Sequence, residues 1–374
     1  MAVGDLLEGR RAEPTCDVTI TEGADAVDAA ASAWRALENA GGVATPFQSL
    51  TVAQALARTH AAHDDIPRVA IVRQNGRPLV IFPTVRTRMA GISIIRFLGD
   101  PFIQYGDVIA DPDAASSHLE AAWTAVAGRG ASAGIFRRVR SDAKVAPIFA
   151  RHARCYVEAQ APFVDVQQLA EPASPNAREL RRLRRRLAER GQVHFQVLRG
   201  PSAGEALRSA LKLKHDWLIE RGLPSAVVGN RDWEGCMLQL VDSAAERSEL
   251  VAACLKVEDS IVAIEIGFIH NKVWFAYMGT TVPAFAKSGP GRILMDELVA
   301  WCRQQGFVAY DLLPPSEPYK RTITPHAVSV RDYVMAFTPI GRSAYVLARA
   351  LSVAKGIVGG TPPWLRRHMM RHFS

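Results

Sequence analysis

Apolar residues along this chain switch repeatedly between a period of two and a helical period, and the order of the switches repeats once. Asp17 to Ile20 reads as a short strand, and alanine-rich Asp25 to Asn39, with Trp34 and Leu37 at helical spacing before Gly41-Gly42, as a helix. In Arg68 to Arg88 two β-branched runs flank Asn75-Gly76, which predicts a hairpin. Ile94 to Leu98 and Asp107 to Ile109 add strands, Ala114 to Ala127 a helix, and Gly134 to Val139 and Val157 to Val166 later strands. Val193 to Leu198 then reads as a strand, with Ala203 to Arg221 and Trp233 to Ala245 as helices. Leu250 to Thr280 gives three strands joined at Glu258-Asp259-Ser260 and His270-Asn271-Lys272. Pro290 to Gln305 is helical with Ile293, Leu294, Leu298 and Trp301 on one face; Val308 to Leu313 and Arg331 to Phe337 are strands and Gly341 to Ala354 a helix.

A repeat of roughly 200 residues is too long for a solenoid and fits a duplicated α/β domain with a mixed sheet. The 374 residues exceed what one core usually serves. We expect a first domain over 1–170, a linking arginine-rich helix over 171–192 beside Pro172 and Pro175, a second domain over 193–340, and a helix with a basic tail over 341–374. The first residues lack the apolar core of a signal peptide, so a cytoplasmic location is expected. The longest apolar stretch, Ser343 to Gly360, is interrupted by Arg349 and Lys355, which argues against a spanning helix. The five cysteines have no CxxC pair and read as buried reduced thiols.

Charge is concentrated. Arg178 to Arg190 holds seven arginines and two glutamates, Trp364 to Ser374 three arginines, and together they account for the whole net charge of +8. A nucleic-acid-coating surface spread over the protein is thereby disfavoured.

One segment carries specific chemistry. A three-strand meander leads into Lys287-Ser288-Gly289-Pro290-Gly291-Arg292, which opens a helix and is followed by the strand Tyr310-Asp311-Leu312-Leu313. Read by itself the turn is either a helix entry with proline in the first turn or a phosphate cradle. The longer string SGPGRILMDELVAWCRQQGFVAYDLLPPSEPYK, after an aromatic-rich strand, resembles the BioF2-like acetyltransferases. This group includes CelD-type cellulose-biosynthesis proteins, N-acetyltransferases of holdfast polysaccharide, and relatives of the FemAB transferases. Looser matches run from Trp34 and Phe47-Gln48-Ser49 through Arg96 to Asp100, spanning most of the chain. The resemblance implies two Gcn5-related N-acetyltransferase (GNAT) domains in tandem, with a FemAB-like architecture. It implies acetyl-coenzyme A as co-substrate, bound by Lys287, Ser288, Gly289, Gly291 and Arg292. Ala286 departs from the GNAT pattern, which has Gln or Arg there. The first domain, with Ala114-Ala115-Ser116-Ser117 at the corresponding place, is expected to bind no cofactor and to form a wall for the acceptor.

Acetyl transfer to an amine needs a base, oxyanion donors and an acid for the thiolate. Glu265, inside the apolar run IVAIEIGFI, is the preferred base if it is buried, and an outward-facing residue otherwise. Asp311, at the end of the strand after the cofactor helix, is the alternative base or a strand-end cap. Tyr319 is a candidate acid, Lys320 a candidate contact for an acceptor phosphate or carboxylate, and Asp216 and Trp217 candidate acceptor contacts on a helix. His60 to Asp65 superficially resembles a metal cluster but reads as solvated histidines beside a turn, and no metal is expected.

In Asn176 to Arg190, Leu180, Leu183 and Leu187 form an apolar stripe beside arginines. Arg181, Arg182, Arg185 and Arg186, with Arg366 and Arg367 in the tail, are either solvated or contacts for an anionic glycan-lipid carrier, a membrane or a nucleotide. The first functional expectation is an N-acetyltransferase acting on an amino sugar of an exopolysaccharide or surface-glycan precursor, with peripheral contact at the inner face of a membrane. Two alternatives remain: a FemAB-like transferase using aminoacyl-tRNA, and a non-catalytic regulator of polysaccharide synthesis that responds to a cyclic dinucleotide such as cyclic di-GMP.

Overall fold

A computed structural model describes residues 16–127, 129–168, 177–223, 225, 227–242 and 250–360, with side chains up to 353. Pro172, Pro175 and the tail containing Arg366 and Arg367 lie outside the described residues. The first half contains β1 (Asp17–Glu22), α1 (Ala26–Asn39), α2 (Leu50–Ala61), β2 (Ile66–Gln74), β3 (Arg77–Met89), β4 (Ile92–Phe97), β5 (Ile109–Ala110), α3 (Ser116–Val126), β6 (Ala133–Arg140), α4 (Ala146–His152) and β7 (Arg154–Asp165). The second contains α5 (Ala177–Ala188), β8 (Val193–Leu198), α6 (Gly200–Arg221), α7 (Arg231–Asp242), β9 (Leu250–Val257), β10 (Ser260–His270), β11 (Val273–Thr281), α8 (Pro290–Gln304), β12 (Ala309–Asp311), α9 (Pro318–Arg321), β13 (Ala327–Ala336) and α10 (Arg342–Gly360).

Local chemistry accounts for most of these elements. At the β2–β3 turn Asn75 and Gly76 both take positive φ (52° and 79°), the backbone a two-residue hairpin requires and Asn-Gly tolerates. Trp34 is fully buried in α1, and its indole N–H donates to the Gln48 carbonyl at 2.9 Å, tying α1 to the segment before α2. α2 and α4 are additions to the sequence reading. α2 is alanine-rich and begins at Ser49, whose hydroxyl accepts from the Val52 N–H.

Among the described residues all thirteen strands join one sheet, in the order β1-β2-β3-β4-β6-β13-β7-β12-β11-β10-β9-β8, with β5 added beside β3. Two neighbouring pairs are parallel, β4 with β6 and β11 with β12, one in each half. The centre is an exchange: β13, expected to close the second domain, pairs with β6 and β7 of the first half, while β7 pairs with β12 of the second. Each half thus gives its last strand to the other, so no sheet edge is left exposed at the junction.

The largest core cluster runs through both halves and includes Trp34, Phe82, Phe136, Phe268 and Phe275. Phe47 bridges them, with its ring centroid 5.4 Å from that of Phe268 and 6.2 Å from that of Tyr105. A second cluster, on the opposite face of the second half, holds Trp274, Tyr310 and Leu298 with Leu183 and Leu187 of α5. Cys236, Cys254 and Cys302 are buried as expected, but Cys155 is exposed and Cys16 half-buried, because both lie near strand ends outside the core.

Candidate active site between the two halves

Alternation along β11 and β12 separates the two candidate bases. Trp274 and Tyr310 are cross-strand partners facing α8; the next pair, Phe275 and Asp311, faces the other way. Glu265 of β10 belongs to the α8 side. Its Oε1 accepts from the Trp274 indole at 2.8 Å and its Oε2 from the Tyr310 hydroxyl at 2.7 Å. Gly267 makes room for this indole, since a Cβ there would fall 2.5 Å from it. Glu265 is buried, not outward-facing, and burial pushes its carboxyl up to about 7 against the two hydrogen bonds. It does not line the cavity described next.

Asp311 does. A cavity of about 300 Å³ lies between the halves, bounded by Thr45, Tyr105 and Arg140 from the first and by Phe275 and Asp311 from the second. The Tyr105 hydroxyl donates to Asp311 at 2.8 Å, and Arg140 Nη1 approaches Asp311 Oδ2 at 3.2 Å. Arg140 also forks onto Asp142, with 2.8 Å to each carboxylate oxygen, and lies 4.9 Å over the Tyr105 ring. Burial raises the Asp311 pKa, while the Leu313 N–H, Tyr105 and Arg140 oppose the rise. The phenol of Tyr105 is held protonated by burial and by the Asp311 charge. Below them Asp107 is buried, and burial raises its carboxyl to about 6 even though it accepts the N–H groups of Val108, Lys144 and Val145. It anchors the loop after β6 to the cavity wall.

Tyr105, Asp107, Arg140 and Asp142 were not singled out from the sequence. They come from a loop and a strand end of the half expected to be only a wall, and Arg140 is more than 170 residues from its partner Asp311. The positive φ of Arg138 (59°), a break in strand alternation near Arg140, carries no sequence signature.

The glycine turn lies at the start of α8, preceded by a 3-10 turn over Pro283–Ser288. Gly289 takes the left-handed conformation (φ 58°), and an added Cβ would meet Leu183 of α5 at 2.9 Å. The arginine-rich helix is therefore packed along the glycine turn and is not a free connector. Its leucine stripe is buried against α8. Arg186 donates to the Lys287 carbonyl and Arg190 to that of Ala284; Arg292 pairs with Glu179, and Arg184 with Asp296 and Glu297. The amides of Gly289 and Arg292 are bonded to carbonyls within the turn and Pro290 has no N–H, so fewer donors remain than the four of an open helix start. Arg181, Arg182 and Arg185 stand exposed beside it. An anionic group at the turn is thus served by few amides and by several guanidinium groups, and a phosphate-bearing donor fits it.

The remaining expected contacts divide. Lys320 is buried, and its ammonium donates to the carbonyls of Leu313 (2.9 Å) and Pro315 (3.0 Å) and pairs with Glu317 (3.5 Å). It holds its own loop and, contrary to expectation, has no donor left for an acceptor. Tyr319 is half exposed; burial and then the Glu317 and Glu265 charges raise its pKa, so it belongs to the Glu265 side of the sheet. Trp217 of α6 is half-buried between Lys214 and Arg221, whose cations lie 4.5 and 4.6 Å from its ring, with Asp216 exposed beside it. The histidines near Asp65 are not both solvated. His60 is buried, with Nδ1 on Asp65 at 2.8 Å and Nε2 accepting from the Gly99 N–H. Among the described residues no His, Cys, Asp or Glu group is arranged to hold a metal, and no helix is long and apolar enough to cross a membrane.

Residues 175–321 match the family model described as the acetyltransferase (GNAT) domain. The second half is thus similar to a GNAT acyltransferase domain. Over most of the chain the fold is shared with L-PGS from Bacillus licheniformis (15% identity, 86% of this chain and 96% of that one, TM-score 0.56). It is shared with FemX (10% identity, 85% and 98%, TM-score 0.56). The C-terminal domain of a protein described as a lysylphosphatidylglycerol synthetase from Agrobacterium fabrum also matches (14% identity, 86% and 96%, TM-score 0.54). The chain is therefore a tandem of GNAT-like units in a mixed α/β fold and an acyltransferase. A search of curated protein sequences finds no significant match.

Proposed function

We propose that this acyltransferase moves an acetyl group from acetyl-coenzyme A to the amine of an amino sugar in a surface-glycan or exopolysaccharide precursor, with Asp311 as the general base. The observation that carries this reading is the position of Asp311 in the cavity between the halves, on the parallel pair β11–β12. Acetyl-coenzyme A supplies an activated thioester. As the amine nitrogen would replace sulfur on the acetyl carbon, Asp311 accepts the amine's proton, coenzyme A departs as thiolate and takes up a proton as the free thiol, and the raised pKa of Asp311 makes it a better acceptor than an ordinary aspartate. Tyr105 and Arg140 fix the carboxylate's orientation. The start of α8 would receive the donor's phosphates, with Lys287 and the exposed arginines of α5 offsetting their charge. Trp217 with its two cations is the candidate face for an anionic glycan.

Titration calorimetry with acetyl-coenzyme A, followed by an acetyl-transfer assay on glucosamine-type acceptors, tests the proposal. Absence of coenzyme A binding sinks it. A second reading, a FemAB-like transferase using aminoacyl-tRNA, has its own support: the turn keeps few free amides beside exposed arginines, and the fold is shared with FemX. Binding of an aminoacyl-tRNA mimic without coenzyme A binding would favour it.

A further inference from the structure

Tyr105 orients Asp311, yet it lies in the irregular connection between β4 and β5, where no strand ladder fixes the backbone. Its position has to come from other contacts. The peptide that joins Tyr105 to Gly106 is pinned from both sides: the Gly106 N–H donates to the Arg138 carbonyl of β6 at 3.0 Å, and the Tyr105 carbonyl accepts from Gln48 Nε2 at 2.7 Å. The ring is held as well, edge-on by Phe47 and Phe275 with centroids 6.2 and 6.4 Å away.

Gln48 is itself fixed. It is buried, and because a carbonyl can only accept, its amide nitrogen must face Tyr105 and its Oε1 must face Thr45, whose hydroxyl donates to it at 2.6 Å. Its own carbonyl takes the Trp34 indole N–H. Thr45 in turn lines the cavity that holds Asp311. The connection between α1 and α2 thus forms a collar on a tyrosine 57 positions away. A methionine would fill the same volume without a buried amide to satisfy, so packing alone does not account for a glutamine here.

We infer that Gln48 is a positioning residue of the acyl-transfer site, holding the main chain of Tyr105 so that the phenol meets Asp311. This role rests on the reading of Asp311 as the base, and it gives the first half a part in the reaction beyond that of a wall. The test measures kcat against pH for transfer from acetyl-coenzyme A to glucosamine by the full chain. Asp311 is faced by the Leu313 N–H, the Tyr105 hydroxyl, Arg140 and the Lys320 charge, all of which lower its pKa, and of these the Tyr105 contact is the one that Gln48 holds. Gln48→Met, which keeps the volume and removes both hydrogen bonds, should therefore move the ascending limb to higher pH and lower kcat at neutral pH by about 10- to 100-fold with donor KM unchanged. Gln48→Asn, which keeps an amide but falls one methylene short of Tyr105, repeats the test if Gln48→Met does not fold. Tyr105→Phe should move the limb the same way, and adding Gln48→Met to it should move the limb no further, because both act on one hydrogen bond. A limb left in place by the Gln48 variants while Tyr105→Phe moves it, or shifts that add in the double variant, would overturn this inference alone. If Asp311→Asn leaves kcat unchanged, the base assignment falls and the positioning role with it.

Discussion

Glu265 and Asp311 are both buried carboxylates at the β10–β12 region, both with pKa raised by burial, and they differ in what satisfies them. Glu265 is closed: its oxygens are held by Trp274 and Tyr310 within a core layer. Asp311 is open: Tyr105 and Arg140 hold it from the other half, and a cavity adjoins it. A raised pKa alone therefore does not mark the catalytic group. Under the proposed mechanism access to a cavity in which a proton can be exchanged separates the two, and one step along β12, from Tyr310 to Asp311, turns the side chain to the cavity face.

The sharpest way to break this comparison is a pair of isosteric substitutions. Asp311→Asn should lower kcat by roughly 10²- to 10⁴-fold with donor affinity unchanged, while Glu265→Gln should leave kcat within a few-fold. The reverse result in steady-state kinetics would transfer the role to Glu265. Next in size, Glu265 should appear in stability. Its folded pKa of about 7 lies above the ordinary 4.5, so its contribution is fully present below about pH 4.5 and is lost as pH rises through about 7. That shift corresponds to about 3 kcal/mol. Glu265→Gln should flatten the pH dependence of urea unfolding across this window, and an unchanged slope would contradict a buried titrating carboxyl.

Cutting the Lys320 clamp is expected to cost about 1–3 kcal/mol, because Lys320→Met leaves the Leu313 and Pro315 carbonyls unpaired. Chemical denaturation reads the loss; a large rise in acceptor KM with unchanged stability would instead restore the binding role. Arg140→Met removes a positive charge that lowers the Asp311 pKa, so the ascending limb of the pH–rate profile should move to higher pH. A limb that stays in place would mean that Asp311 is not the titrating base. Smallest of all, replacing Arg181, Arg182 and Arg185 with glutamine should raise donor KM several-fold at low salt and little at high salt, because exposed charges are screened. Salt-independent KM would detach α5 from the donor.

Much of the fold was legible in local pattern. Asn75-Gly76, the meander ending at Thr280, and Pro290 with its apolar face at Ile293, Leu294 and Leu298 each carry their own turn or period, and the structure returns each element. The glycine turn stood out in the sequence as a Gly/Pro run between a meander and a helix, and the structure adds that Gly289 takes positive φ there. α2 was missed because alanines give a weak period, and Lys320 was misread because a lysine at a loop looks free until its acceptors are known.

What the sequence determined by itself is therefore the succession of elements, the duplication, and the residue types on which acyl transfer can draw. These follow from steric and hydrophobic preferences that act over a few residues. Only the tertiary structure decided that β7 and β13 change places, that α5 lies along the α8 turn, and that Asp311 meets Tyr105 and Arg140. Those relations join residues more than a hundred positions apart, and burial across a shared sheet brings them together, which no local spacing records.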